Sequence, residues 1–250
     1  MAARGFLGAG DVYIERIVAG VAQGLKGPFY ADKFQIKPNV DIKELVSKGR
    51  NDYGQTLESV ALQKPADFTL ELKEVNKESM ALALLGTQAA VSQGSGTLTD
   101  HEVTTKADCW VSVSKEALGS TITVKDSATG LITYVEGTDY VLNRVLGLIK
   151  ALSTGAIAAD QHVDVSGTYS ATSGTVINGA TSADVRARFM FDGINQADGL
   201  PCIVEVYEGV IAANSAFDFL ANDFANVSLP GKMKTPTGKA QPFTVTLRTA

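Results

Sequence analysis

The chain has 250 residues, 45% of them hydrophobic and 20% charged, an ordinary balance that excludes disorder as its general state. Twenty-two Lys and Arg against 27 Asp and Glu leave a net charge of −5, which argues against a protein that grips nucleic acid by counterion release. Two cysteines, Cys109 and Cys202, are too few for a disulfide scaffold, no run approaches 18 apolar residues, and Met1 to Asp11 lacks the layout of a signal peptide. The expectation is a soluble chain that folds in a reducing cytosol, long enough to bury one large β domain.

In chain order, residues 1–28 are glycine-rich around a short apolar run, Val12-Tyr-Ile14, and read as an N-terminal arm. Residues 41–55 are charged and punctuated by Gly49 and Gly54, as in a long exposed loop. Phe68, Leu70 and Leu72 then alternate with Thr69, Glu71 and Lys73, the period of a half-buried strand. Asn76 suits an N-cap and Glu78 the first turn of a helix over 77–85, with Gly86 as its C′ stop. Residues 87–97 and 170–182 are rich in Ser, Thr, Gly and Ala and read as mobile loops.

Period two returns at Cys109, Val111 and Val113, where Trp110 reads as core and both cysteines as buried strand residues. It recurs at Ile122 and Val124, at Val185, Ala187, Phe189 and Phe191, and at Phe243, Val245 and Leu247. Turn chemistry separates these runs at Ser127-Ala-Thr-Gly130, Glu136-Gly-Thr-Asp139, Asn178-Gly-Ala and Asp198-Gly-Leu-Pro201. Residues 215–223 read as helix or strand, with Phe217 and Phe219 at spacing two favouring strand. The sum is an all-β, mainly antiparallel sandwich or barrel with one short flanking helix. With no internal repeat and no dividing linker, the chain reads as a single domain with extensions.

Charge is placed unevenly. Residues 184–223 hold seven acids and two arginines, whereas 224–250, read as a C-terminal arm, hold Lys232, Lys234, Lys239 and Arg248 and no acid. A charge run is commonly just a solvated face, yet this order also suits head-to-tail pairing of identical subunits through Lys232, Lys234 and Lys239.

Templates for chemistry are incomplete. G-x-S-x-G is absent, and Ser112-Val-Ser-Lys115 matches S-x-x-K on an alternating strand, where positions 112 and 115 face opposite sides. His101 and His162 have no partner at ligand spacing. Gly8-Ala-Gly10 lacks a third glycine, and the stretch from Gly231 to Gly238-Lys239 is too long for a phosphate loop, contains Pro236 and ends on Ala240. The expectation is no catalytic residue, no cofactor and no metal.

The order of pieces does carry a likeness. Lys43-Glu-Leu-Val-Ser-Lys-Gly-Arg50 runs into Tyr53-Gly-Gln-Thr-Leu-Glu-Ser59, followed by a strand from Lys64-Pro-Ala-Asp-Phe68 and by Asn76-Lys-Glu-Ser-Met-Ala-Leu-Ala-Leu-Leu-Gly86. Later come Tyr134-Val-Glu-Gly-Thr-Asp-Tyr-Val-Leu142 and Gly147-Leu-Ile149. This resembles the tail tube (major tail) protein of long-tailed bacteriophages over most of residues 29–150, and more loosely at Pro242-Phe-Thr-Val-Thr246. The resemblance implies a virion protein, made in the host cytoplasm, whose hexameric rings stack into a conduit for DNA ejection. It implies partners at the tail tip, a tape measure and a tail terminator, with DNA passing through unbound and no membrane contact. The length favours a non-contractile, siphophage-like tail. The stretch corresponding to 41–55 reaches the next ring in such proteins, which points to Ser47, Lys48, Gly49, Arg50, Asn51, Asp52 and Tyr53 as the inter-ring contact. A conduit for a polyanion should repel it weakly, and Glu71, Asp192 and Glu205 on polar strand faces are the candidates to line it. The alternative is a binding domain of a tail tip, fibre or secretion tube; an enzyme on a β scaffold is a third class.

Overall fold

Seventeen strands and one helix follow one another in the computed structural model, which describes residues 5–211 and 216–248. They are β1 (Gly8–Val18), β2 (Val21–Phe29), β3 (Ala31–Val46), β4 (Thr56–Leu72), α1 (Lys77–Ala83), β5 (Thr87–Gln93), β6 (Gly96–Thr104), β7 (Trp110–Ser112) and β8 (Leu118–Asp126). Then come β9 (Thr133–Tyr134), β10 (Tyr140–Asn143), β11 (Leu148–Ala151), β12 (His162–Tyr169), β13 (Thr172–Asn178), β14 (Val185–Asn195), β15 (Leu200–Ile211), β16 (Val227–Met233) and β17 (Phe243–Leu247). The protein is mostly antiparallel β-sheet with one short helix, as the alternation predicts.

The chain divides into two compact units where the sequence suggests a single domain: 1–88 with 177–250, and the insert 89–176. Composition does not change at either boundary, because both units are built from the same alternating strands. β5 and β13, expected as mobile loops, pair with each other and carry the chain across the boundary.

The first unit is an eight-stranded sheet in the order β2-β1-β14-β15-β16-β4-β3, with β17 on β15. β15 is flanked on one side by β14. Its other side is shared, by β17 along Cys202–Val206 and by β16 along Gly209–Ile211. The dry face collects Val12, Ile14, Phe68, Leu70, Leu72, Val185, Ala187, Phe189, Leu229 and Met233, and α1 adds Leu82. Phe34 of the edge strand β3 reaches Phe191 of β14, with ring centroids 6.1 Å apart, so the sheet is curled over its own core.

Two expected extensions belong to this sheet. Residues 8–28 are no arm: β1 lies between β2 and β14, with Val12 and Ile14 fully buried. Gly10 sits there because the backbone of Asp192 and Gly193 comes too close for any Cβ, and that close approach reads in the sequence as looseness. Residues 224–250 are likewise no arm, since β16 runs inside the sheet between β15 and β4. Phe243 is only partly buried and Val245 and Leu247 are exposed, although their alternation matches that of a core strand. Residues 216–223 are neither helix nor strand, and Ser215 lies outside the described residues.

The helix follows its sequence. The Asn76 side chain accepts from the N–H groups of Glu78 and Ser79, and the Ser79 hydroxyl accepts from the Asn76 N–H, closing a capping box. Its C-terminus is shifted by one residue. Leu85 takes the left-handed conformation at φ +47, and Gly86 follows as C″, its N–H donating to the Ala81 carbonyl at 2.8 Å. Gly86 has a different reason to be glycine: a Cβ there would stand 2.7 Å from the Asn178 carbonyl oxygen.

The insert holds a sheet β6-β12-β8-β9 and a sheet β10-β11-β7 that share one core of Val113, Val124, Tyr134, Tyr140, Ile149, Val163 and Val165. Between the two buried tyrosines, Asp139 accepts from the N–H groups of Val135 at 2.8 Å and Ala156 at 2.9 Å. These two hydrogen bonds hold its carboxyl below the ordinary aspartate range. Arg144 grips Glu136 through both terminal nitrogens at 2.7 Å, with Gly137 at φ +86 completing the turn. Trp110 and Cys109 are not core: the indole is 48% exposed under the Lys150 ammonium, and Cys109 is exposed. β7 is too short and too near the sheet end to cover them. Cys202 is buried, and burial raises its thiol pKa.

Candidate assembly surfaces

The alternating burial of β4 stops at Ala66. From there to the tip, residues 56–65 pair only with β3, because β16 accompanies β4 only over Asp67–Leu72. β3 and β4 therefore leave the sheet as a two-stranded ribbon over eight residue pairs, from Asn39↔Lys64 to Val46↔Thr56, roughly 25 Å long. Of the expected loop 41–55, Asp41–Val46 belong to this ribbon as paired strand, and 47–55 form the turn at its tip, since pairing stops at Val46 and resumes at Thr56.

The register places Val40 and Ile42 on one face with Ala61 and Leu57, and Leu45 on the other with Val60 and Leu62. All of these large apolar side chains are exposed. Charges are interleaved with them, Asp41 bridging Lys43 at 3.2 Å and Lys64 at 3.1 Å. An isolated hairpin with apolar groups on both faces has no core of its own and offers two sticky surfaces.

At the tip, residues 47–55 close in a hydrogen-bonded turn. The Ser47 N–H donates to the Gln55 carbonyl at 2.8 Å, the Gly54 N–H to the Ser47 carbonyl at 2.9 Å, and the Gly49 N–H to the Ser47 hydroxyl at 3.0 Å. Gly54 has φ +86, a conformation that favours glycine; Gly49 instead makes room for the Asp52 carboxylate. Of the seven tip residues, Ser47 is buried in the turn and Asp52 is half-buried. Lys48, Gly49, Arg50, Asn51 and Tyr53 face outward, Tyr53 at 77% exposure.

The register places Glu71, Asp192 and Glu205 on the wet face of the sheet. They differ in how far they are neutralised. Glu205 meets Arg188 at 2.6 Å, and Arg188 also meets Glu15 at 3.2 Å; Glu71 meets Lys33 at 3.2 Å. Asp192 is exposed and lies directly opposite Asp11 across β14 and β1, and neither has an ion pair among the described residues. The three lysines also separate. Lys234 reaches the buried Glu208 at 3.2 Å, Lys239 sits 4.1 Å above the Tyr207 ring, and Lys232 stands exposed on β16. No sequence signal distinguishes these neutralised groups from the free ones, because the partners come from distant strands.

Among the described residues no three His, Cys, Asp or Glu side chains converge as metal ligands, and no helix is long and apolar enough to cross a membrane. Ser112 accepts from the Ser114 N–H, and His162 lies 3.3 Å from both Glu102 and Thr104 at the exposed start of β12. No curated protein matches the chain. A family model does match, over residues 5–242, nearly the whole length, and the chain belongs to that family, described as "Protein of unknown function UCP028589".

Proposed function

We propose that the chain is the structural subunit of a phage tail tube, self-assembling into rings that stack into a hollow conduit for DNA. The observation that carries this reading is the β3–β4 ribbon, whose exposed apolar side chains on both faces suit burial between neighbouring copies. It occupies the stretch where the resemblance puts the contact between rings, with Arg50 and Tyr53 outward at its tip. On this reading the wet face of the large sheet lines the conduit. Arg188 and Lys33 largely neutralise Glu205 and Glu71, and the exposed pair Asp11 and Asp192 supplies the residual repulsion that keeps DNA moving. The insert 89–176 is a second compact unit with its own core.

Negative-stain microscopy of the purified chain across a concentration series tests this. Rings or tubes are the expected result. Monomers at every concentration, with and without an end-complex seed, would overturn it and leave a tip or fibre module as the better reading.

A further inference from the structure

We propose that residues 216–224 of one copy dock into the groove between the ribbon base and the C-terminal stretch of the next copy, an inference that rests on the self-assembly reading. The segment is pinned by Phe217, which packs on the core of the first unit, with the Phe219 ring edge-on to it at 4.8 Å. Beyond that anchor, Phe219 is 70% exposed, Leu220 90% and Phe224 94%; the first two stand between Asp218 and Asp223, and Phe224 directly follows Asp223. Neither carboxylate has an ion pair among the described residues; each accepts only from a nearby backbone N–H, of Leu220 and Phe224 respectively. The stretch is thus an apolar motif flanked by acids.

The groove has the opposite charge. Its volume is 980 Å³, enough to receive several side chains, with Val40, Met233 and Phe243 among its apolar lining. Lys64, Lys232 and Lys234 line it too, and no carboxylate does; Lys64 is paired with Asp41 and Lys234 with Glu208, both outside the lining, and Lys232 has no ion pair among the described residues. Large apolar groups with acids would enter an apolar trough with bases.

Within one copy, none of residues 216–224 lines the groove. Two residues, Ala225 and Asn226, lie between Phe224 and Val227, a tether of about 10 Å at most. Lys232 lies five residues further along β16, about 17 Å away, in the direction leading from the segment. Segment and groove are different surfaces of one copy, so their pairing between copies is a heterologous contact, which closes into a ring or continues as a filament.

Charge reversal in full-length chains tests this in trans. One variant carries Asp218→Lys with Asp223→Lys; the other carries Lys64→Glu with Lys232→Glu. Lys234 is kept because it holds the buried Glu208. Melting temperature and near-ultraviolet circular dichroism matching wild type establish that both fold. Each variant alone should raise the concentration for half-assembly, read by light scattering, at least tenfold. An equimolar mixture should return it to within twofold of wild type, because alternating copies restore opposite charges at every contact. Variants that each assemble like wild type at low and high salt, or a mixture no better than its parts, would overturn the docking while leaving the subunit reading intact. A wild-type chain that never assembles removes both.

Discussion

The Phe68 ring lies against Phe189 with centroids 4.8 Å apart, and two glycines on neighbouring strands leave it room. A Cβ on Gly209 would stand 2.7 Å from both rings, and one on Gly231 would stand 2.6 Å from Phe68. Phe68→Ala should therefore lower stability by about 3–5 kcal/mol, read by urea titration, since it empties the centre of the first core. Gly231→Ala should also destabilise, by overpacking against backbone and ring together. In the insert, Asp139 is the residue to titrate. Its folded pKa lies below its ordinary value of 3.8, so the stability it contributes is complete above that value and is lost as pH falls through the folded one. Acidification from pH 5 to pH 2 should thus lower the melting temperature of the insert. Asp139→Asn should lower it at pH 7 and weaken the acid dependence.

At the scale of elements, the ribbon contributes nothing to either core. Removing residues 42–61 and joining Asp41 to Leu62 through an Asn-Gly turn should leave the melting temperature within about 2 °C of wild type and abolish stacked tubes. A large drop in melting temperature would show that the ribbon is packed structure. The elements were legible in the sequence wherever local chemistry decides: Asn76 announces the helix, and Phe68, Leu70 and Leu72 announce β4. They were illegible where a distant strand decides. Gly10 is glycine because of Asp192 and Gly193, and Val245 and Leu247 alternate like a core strand yet lie along an open edge. The same holds for the surfaces: the tip residues could be named from the chain, but the pairing of Glu205 with Arg188 and Glu15 required the register of three strands.

At the scale of the molecule, the two cores have no residue in common. Residues 89–176 expressed alone should fold cooperatively. Replacing them in the full chain by a short linker between Gln88 and Ile177 should leave the first unit folded, which calorimetry of the two products would check. Neither product showing a cooperative transition would refute the division.

The strand order β2-β1-β14-β15-β16-β4-β3 also sets a timetable for a chain made from its N-terminus. β1 with β2 and β3 with β4 are local hairpins that emerge early, but they occupy opposite flanks of the sheet. The strands that join them, β14 to β16, leave the ribosome only after the whole insert has been translated, on the order of ten seconds later at roughly 5–20 residues per second. During that interval the insert completes its own core while Val12, Ile14, Phe68 and Leu70 wait without partners. The C-terminal third therefore acts as a keystone. A chain released after residue 176 should resist protease across 89–176 and be cleaved throughout 1–88.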